Sequence, residues 1–350
     1  MQTMKQMFAN SKLLISTMAL IFVVCASLMV PEPAESIDDN QRLFMMLESL
    51  GYEGVDHFPN TEIFGVSVKR GEELVKNGFS SRPGGGRTKK QSKHFVCTSC
   101  HNLEREDPDL SNPNPQDRLI YTDKNGLPFL QGTTLYGAVN RERFYNDDYY
   151  KKYGELVVPA RDNIREAIQL CAVECAQGRR LADWEVESIL AYLWSIDLKM
   201  GDLQLDEEES DFLSRAMKNR SLRDSAIHLL KKNYPLDSPA HFTTAYDSKL
   251  AVEEIEGNPD NGRLIYENSC LHCHAGKKYS YFLLNDETLT FKHLAAKAGG
   301  YTDHSIFQVA RYGVYSKSGK RSYMPQYPLE KMSNQQLADL HAYINMRASE

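Results

Sequence analysis

Dense charge of one sign is missing from this chain. Over 350 residues, 41 Lys and Arg stand against 47 Asp and Glu, a formal net charge of −6. Nucleic-acid binding needs a concentrated basic face, so that class is excluded. A second long apolar run is missing too. Beyond Leu13–Val30 nothing is apolar enough to cross a bilayer, which excludes a protein of many membrane spans. Methionine and histidine are both absent between His101 and Met200. Cysteine is scarce: there are seven, and six once Cys25 is set aside.

What is present begins with the N-terminus. Lys5 and Lys12 precede the apolar run, and Pro31-Glu32-Pro33 ends it. That is the layout of a secretory signal. The run is long for a cleaved signal and near the minimum for a spanning helix. Residues 1–30 therefore read as a signal peptide or an N-terminal anchor. The expected location is periplasmic, soluble after cleavage or tethered by the apolar segment. Val24 stands before Cys25 where a lipidation site expects a small residue. The rest, 41% hydrophobic and 25% charged, is an ordinary globular composition long enough for two domains.

Four of the six remaining cysteines fall in two C-x-x-C-H motifs, Cys97-Thr98-Ser99-Cys100-His101 and Cys270-Leu271-His272-Cys273-His274. The spacing has a mechanical reason. Two thiols add to the two vinyl groups of a haem, and the adjoining histidine reaches the iron. Zinc would want a second paired cluster near each motif, and a thiol-redox pair would not need the trailing histidine. The expected cofactors are two haem c groups, attached through Cys97, Cys100, Cys270 and Cys273, with His101 and His274 as axial ligands. His272 reads as a spacer.

Internal repeats frame the motifs. Gly71–Val75 is similar to Gly262–Tyr266, and Ala191-Tyr192-Leu193 to Ala342-Tyr343-Ile344. Val186, Ile189, Leu190 and Leu193 form an apolar stripe at helical spacing. Ser333 followed by Gln336 is a capping-box pattern. The expected fold is all-α, two tandem cytochrome c domains joined by a helical linker. Its boundaries are an N-terminal segment 31–64, a first domain 65–198, a linker with a helix 199–255 and a second domain 256–348. Within the linker, Asp206–Lys232 reads as one amphipathic helix and Asn233–Val252 as irregular. Both modules resemble the class I cytochrome c family, which implies short helices wrapped around haem.

The distal iron ligands are expected to differ. Met324, followed by Pro325 shortly before the last helix, matches the class I pattern, with Met332 and Met346 as competitors. The thioether suits reversible electron transfer at raised potential. Beyond His101 the first module has no Met or His to offer. A helix expected over Asp162–Ala176 puts Cys171 and Cys175 on its apolar stripe. A thiol near iron is expected to ligate as thiolate, so Cys171 is the leading ligand and Cys175 the alternative. Core packing, a disulfide, or a Lys or Tyr ligand are the other readings.

The first module also resembles the N-terminal module of dihaem thiosulfate dehydrogenases and the A subunit of Sox sulfur-oxidising cytochromes. The shared layout is the Gly71–Val75 helix, an insertion over Ser80–Val96, C-x-x-C-H-N at Cys97–Asn102, and Cys171 ahead of Gly178. The resemblance implies a His/Cys-ligated catalytic haem. Cys175 and the aromatic run Phe144, Tyr145, Tyr149, Tyr150 and Tyr153 depart from the family. A small sulfur anion would need positive charge nearby. The loop holding Arg82, Arg87, Lys89, Lys90 and Lys93 with Gly84, Gly85 and Gly86 is one source, unless it is a solvated turn. Arg141 and Arg143 are another. No catalytic base stands out.

Three functions follow. The first is an exported dihaem cytochrome that transfers electrons and oxidises a small sulfur anion such as thiosulfate at the first haem. The second is a plain dihaem carrier. The third, a dihaem peroxidase, fits least, because no His follows His101 until His228. The expected partner is a small cytochrome or terminal oxidase.

Overall fold

The structure is a computed structural model and describes residues 37–54, 57–276, 279–300, 305–314 and 324–350. The signal or anchor segment and Cys25 lie outside the described residues. Among those described there are helices and isolated bridges but no strand, so the fold is all-α. No helix among them is long and apolar enough to cross a membrane.

Helix α1 (Leu43–Ser49) is followed by α2 (Val68–Asn77). Ser67 caps α2 by accepting from Arg70 N at 3.2 Å, and Gly78 ends it in the left-handed region at φ 71°. Then come α3 (Pro115–Lys124), α4 (Asp147–Tyr153) and α5 (Ile164–Leu170). Instead of running on to Ala176, α5 passes into a π turn over Cys171–Cys175, closed by Ala176 N–H donating to Cys171 O at 2.8 Å. The extra residue in that turn takes Cys171 and Cys175 off a regular stripe. Both are half-buried, while Ala172 between them is buried.

Helix α6 (Asp183–Leu193) crosses α2 at a contact only glycine permits. A Cβ on Gly71 would lie 1.8 Å from Ser188 O and 2.8 Å from Tyr192 Cβ. The same crossing recurs between α10 (Pro259–Ile265) and the closing helix α14 (Asn334–Ser349), which are reached after α7 (Glu207–Lys218), α8 (Arg223–Lys232) and α9 (Ala245–Glu253) and, for α14, after α11 (Leu271–His274), α12 (Thr288–Ala298) and α13 (Ile306–Arg311). There a Cβ on Gly262 would lie 2.0 Å from Asp339 O and 2.7 Å from Tyr343 Cβ. The glycine and aromatic pairs noticed in the sequence are thus the two crossings. Ser333 and Gln336 make the reciprocal cap of α14, at 3.1 and 3.0 Å.

Two further local expectations are corrected, and the N-terminal segment 31–64, to which the sequence assigned no element, gains one. Asp206–Lys232 is two helices, because Asn219 breaks the run and accepts from Ser221 N at 3.0 Å. Part of the irregular linker is α9. The unassigned N-terminal segment contains α1, whose Leu43, Met46 and Leu47 pack with Leu213, Ala216, Ala226 and Leu230 of α7 and α8. A fourth finding concerns the long connection Leu103–Ala160. Its Leu119 and Phe129 join the core built by Ile265, Tyr266, Phe291, Leu337 and Tyr343. That connection therefore spans between the two glycine crossings.

Candidate haem sites

The first motif opens as a tight turn over Cys97–Ser99 and is anchored by the fully buried Ser99, whose hydroxyl accepts from Val96 N at 3.0 Å. His101 lies against backbone: a Cβ on Gly132 would be 2.6 Å from His101 Nδ1. His101 Nδ1 is 2.6 Å from Thr133 O. A carbonyl can only accept, so Nδ1 carries the proton and Nε2 is the nitrogen left for a metal. Burial lowers the His101 pKa, which favours the neutral, ligating form.

The second motif repeats this. The π turn Tyr266–Cys270 runs into α11, and His274 Nδ1 is 2.8 Å from Phe282 O. Burial lowers the His274 pKa as well. Burial pushes the Cys97 thiol up to about 11 and the Cys270 thiol to about 12. The Cys100 pKa is raised by burial and next by the charge of Cys273. The Tyr327 hydroxyl donates to Phe129 O at 3.2 Å and bonds Ser269, beside Cys270. Both motifs fit haem: a pair of thiols and a neutral histidine with its far nitrogen fixed. Among the described residues no group of three or more His, Cys, Asp or Glu is placed to hold a metal ion. His272 packs against Tyr279 with ring centroids 5.5 Å apart.

Cys171 and Cys175 meet beside the first motif. Cys171 donates to Cys175, and this bond, then burial, then the charges of Cys175, Cys97 and Cys100, raise its pKa. The same bond, with Tyr153 and Lys152, holds Cys175 down to about 7 against its burial. The sequence ranked Cys171 first, yet the donors converge on Cys175. Part of the aromatic run that the sequence left unplaced lies against this pair: Tyr153 by its hydroxyl and Tyr149 beside it. Tyr149 meets Tyr145 at 4.7 Å and Phe242 at 4.9 Å between ring centroids, and stacks with Tyr153 at 6.5 Å. Tyr149 is raised by burial and next by Cys175 and Cys171. Lys152 is lowered to about 8, chiefly by burial, with its ammonium bonded to Gln326 and 5.5 Å from the Tyr153 ring. Lys152 was missed and Tyr153 was named only within the aromatic run, because their relation to the thiols depends on how α4 docks. The aromatic density was the one visible signal.

Met324 pairs with Val314 through backbone bonds of 3.0 and 3.3 Å, and the Gly313 turn (φ 74°) packs against its carbonyl. Its competitors have other roles: Met332 is 1% exposed in the core, and Met346 is 41% exposed on α14. The basic loop folds on itself. Arg82 N donates to Gly86 O at 2.8 Å, and the Arg87 guanidinium sits 3.4 Å over the Phe79 ring. Arg82, Arg87, Lys89, Lys90 and Lys93 are all exposed. Arg143 is exposed and 3.9 Å from Asp162, whereas Arg141 is buried and acts on the charge of His101.

Residues 257–344 match the family model described as cytochrome C oxidase, cbb3-type, subunit III. No curated protein and no solved structure matches the chain. The matched segment contains the Gly262 crossing, the Cys270–His274 motif and Met324, and it is a c-type cytochrome domain. Such a domain binds haem c and transfers electrons.

Proposed function

We propose that the chain is an exported dihaem c-type cytochrome that oxidises a small sulfur anion such as thiosulfate. Each haem would supply a one-electron Fe(III)/Fe(II) couple. Cys97 and Cys100 would attach the first, and His101 and a cysteine of the Cys171/Cys175 pair would ligate its iron. Cys270 and Cys273 would attach the second, with His274 and Met324. Thr133 O and Phe282 O orient the two histidines by accepting from Nδ1.

The observation that carries the first site is the thiol pair beside Cys97 and Cys100, with Tyr153 and Lys152 on Cys175. A thiolate ligand from Cys171 or Cys175 would lower the potential of a haem at the first site and the Met324 thioether would raise it at the second, a difference that would favour electron flow from the first to the second. Two thiosulfate dianions lose one electron each and join through a sulfur–sulfur bond as tetrathionate. The two electrons leave through the second site to an acceptor such as a small cytochrome or terminal oxidase. Lys152 offers a partly buried positive charge for a dianion, and Tyr149 and Tyr153 of α4 pack against Ala167 and Leu170 of α5, the helix that leads into the thiol pair.

The test is stoichiometry followed by turnover. A pyridine haemochrome assay on the purified full chain should give two haem c per chain. Thiosulfate should then reduce an acceptor cytochrome only with the intact protein. One haem per chain, or two haems without thiosulfate-dependent reduction, contradicts the proposal at its first or second half. A plain carrier is the second reading, favoured by the closed, exposed form of the Arg82–Lys93 loop.

A further inference from the structure

Glu106 is fully buried, and a lysine from far along the chain reaches it. Its carboxylate accepts from Lys331 Nζ at 2.8 Å and stands 3.4 Å from the Arg118 guanidinium. It also accepts from Asn102 Nδ2 at 2.9 Å and from Thr134 N at 3.1 Å. Those two contacts matter because of their neighbours. Asn102 follows His101, and Thr134 follows Thr133, whose carbonyl accepts from His101 Nδ1 at 2.6 Å. The carboxylate therefore clasps both ends of the histidine's hydrogen bond. Burial would raise the Glu106 pKa, but Lys331 and Arg118 overcome it and hold it at about 2.

Docking alone does not call for buried charge. Neutral bonds already tie the same surfaces: Gln116 with Asn261 at 2.9 and 3.0 Å, Gln336 to Pro115 O at 2.8 Å, and Phe129 N to Asn268 O at 2.9 Å. A buried ion pair carries a desolvation cost that often cancels its attraction. Its electrostatic effect on whatever lies nearby is then its distinctive property.

We propose that Lys331, supplied by the segment that carries the second motif, is a positioning residue for His101 that acts through Glu106 to set the redox potential of the iron His101 ligates. This rests on the reading of His101 as an iron ligand. An uncompensated carboxylate around the His101–Thr133 bond favours Fe(III), and Lys331 neutralises it. Arg118 shares that task but is also committed to Leu130 O and Lys331 O, at 3.1 and 2.6 Å.

The experiment is a potentiometric titration of the full holoprotein, with the two haems distinguished by paramagnetic resonance. Lys331→Met should lower the potential of the first haem only. The expected size is about a tenfold change in its oxidised-to-reduced ratio at fixed potential, about 59 mV for one electron. Lys331→Arg should restore it, Glu106→Gln should raise it, and the double variant Glu106→Gln/Lys331→Met should return towards the wild type. Should Lys331→Met fail to fold, the Lys331→Arg and double variants carry the test. Two haems whose potentials do not move, or move together, overturn the inference alone. One haem per chain overturns it together with the reading beneath it.

Discussion

The phenolic oxygen of Tyr153 lies 3.7 Å from the sulfur of Cys175. Lys152, its neighbour on α4, acts on the same sulfur. A donor and a cation thus reach the thiol pair from one short helix whose Asn146 cap accepts from Asp148 N at 3.2 Å. The first prediction follows from that. Lys152→Met should raise KM for thiosulfate while the haem content stays the same. The triple change Arg82→Ala, Arg87→Ala, Lys93→Ala should leave KM unchanged, since all three side chains are exposed on a loop that bonds to itself. Steady-state kinetics decide it, and the reverse ranking would return the anion site to the exposed loop.

The glycine crossings give the second prediction. Gly71→Ala and Gly262→Ala each force a methyl group into a backbone carbonyl, at 1.8 and 2.0 Å. Backbone cannot yield as a flexible side chain does, so each should cost about 3 kcal/mol. Urea unfolding measures the loss. Gly85→Ala is the control, because a Cβ there meets nothing within 4 Å; its positive φ of 95° still carries a smaller backbone strain.

Those glycines were legible in the sequence, and so were both C-x-x-C-H motifs and the Ser333/Gln336 cap, because each depends on residues close together or on an exact repeat. The π turn at Cys171–Cys175 was not. Helical periodicity describes a regular α-helix, and one extra residue per turn leaves no compositional trace. The break at Asn219 was hidden by an amphipathic pattern that continues across it. The bond between Glu106 and Lys331 joins positions 225 residues apart, and nothing local marks either partner. Lys152 and Tyr153 were visible only as part of an aromatic run whose destination depends on tertiary packing.

Methionine roles give the third prediction. Met324→Ala should remove the thioether from the second site, lowering its potential and perturbing its absorption, with little effect on stability. Met332→Ala should do the opposite. It empties a core position that is 1% exposed and should cost about 2–5 kcal/mol with the spectrum unchanged. Optical redox titration together with chemical unfolding separates the two. A core-type response at Met324 would remove it as the ligand.

Glu106 gives the fourth. Its pKa is held at about 2 against an ordinary 4.5. A depressed carboxylate stabilises the fold fully above its unfolded value and loses that contribution as pH falls through the folded one. The window is therefore pH 4.5 down to about 2, with on the order of 3 kcal/mol at stake. Glu106→Gln should be less stable at pH 7, because it leaves Lys331 and Arg118 buried without their carboxylate. Its stability should also fall less steeply than that of the wild type across the window. Urea midpoints taken at several pH values check this, and parallel curves would contradict it.

The proposal that two irons are unequally ligated is tested most directly by low-temperature electron paramagnetic resonance of the oxidised full chain. Two low-spin signals are expected, one of a thiolate-ligated haem and one of a His/Met haem. The first should disappear in the Cys171→Ala/Cys175→Ala double variant while the second remains. Two His/Met-like signals, or a spectrum unchanged by the double variant, would contradict cysteine ligation at the first site.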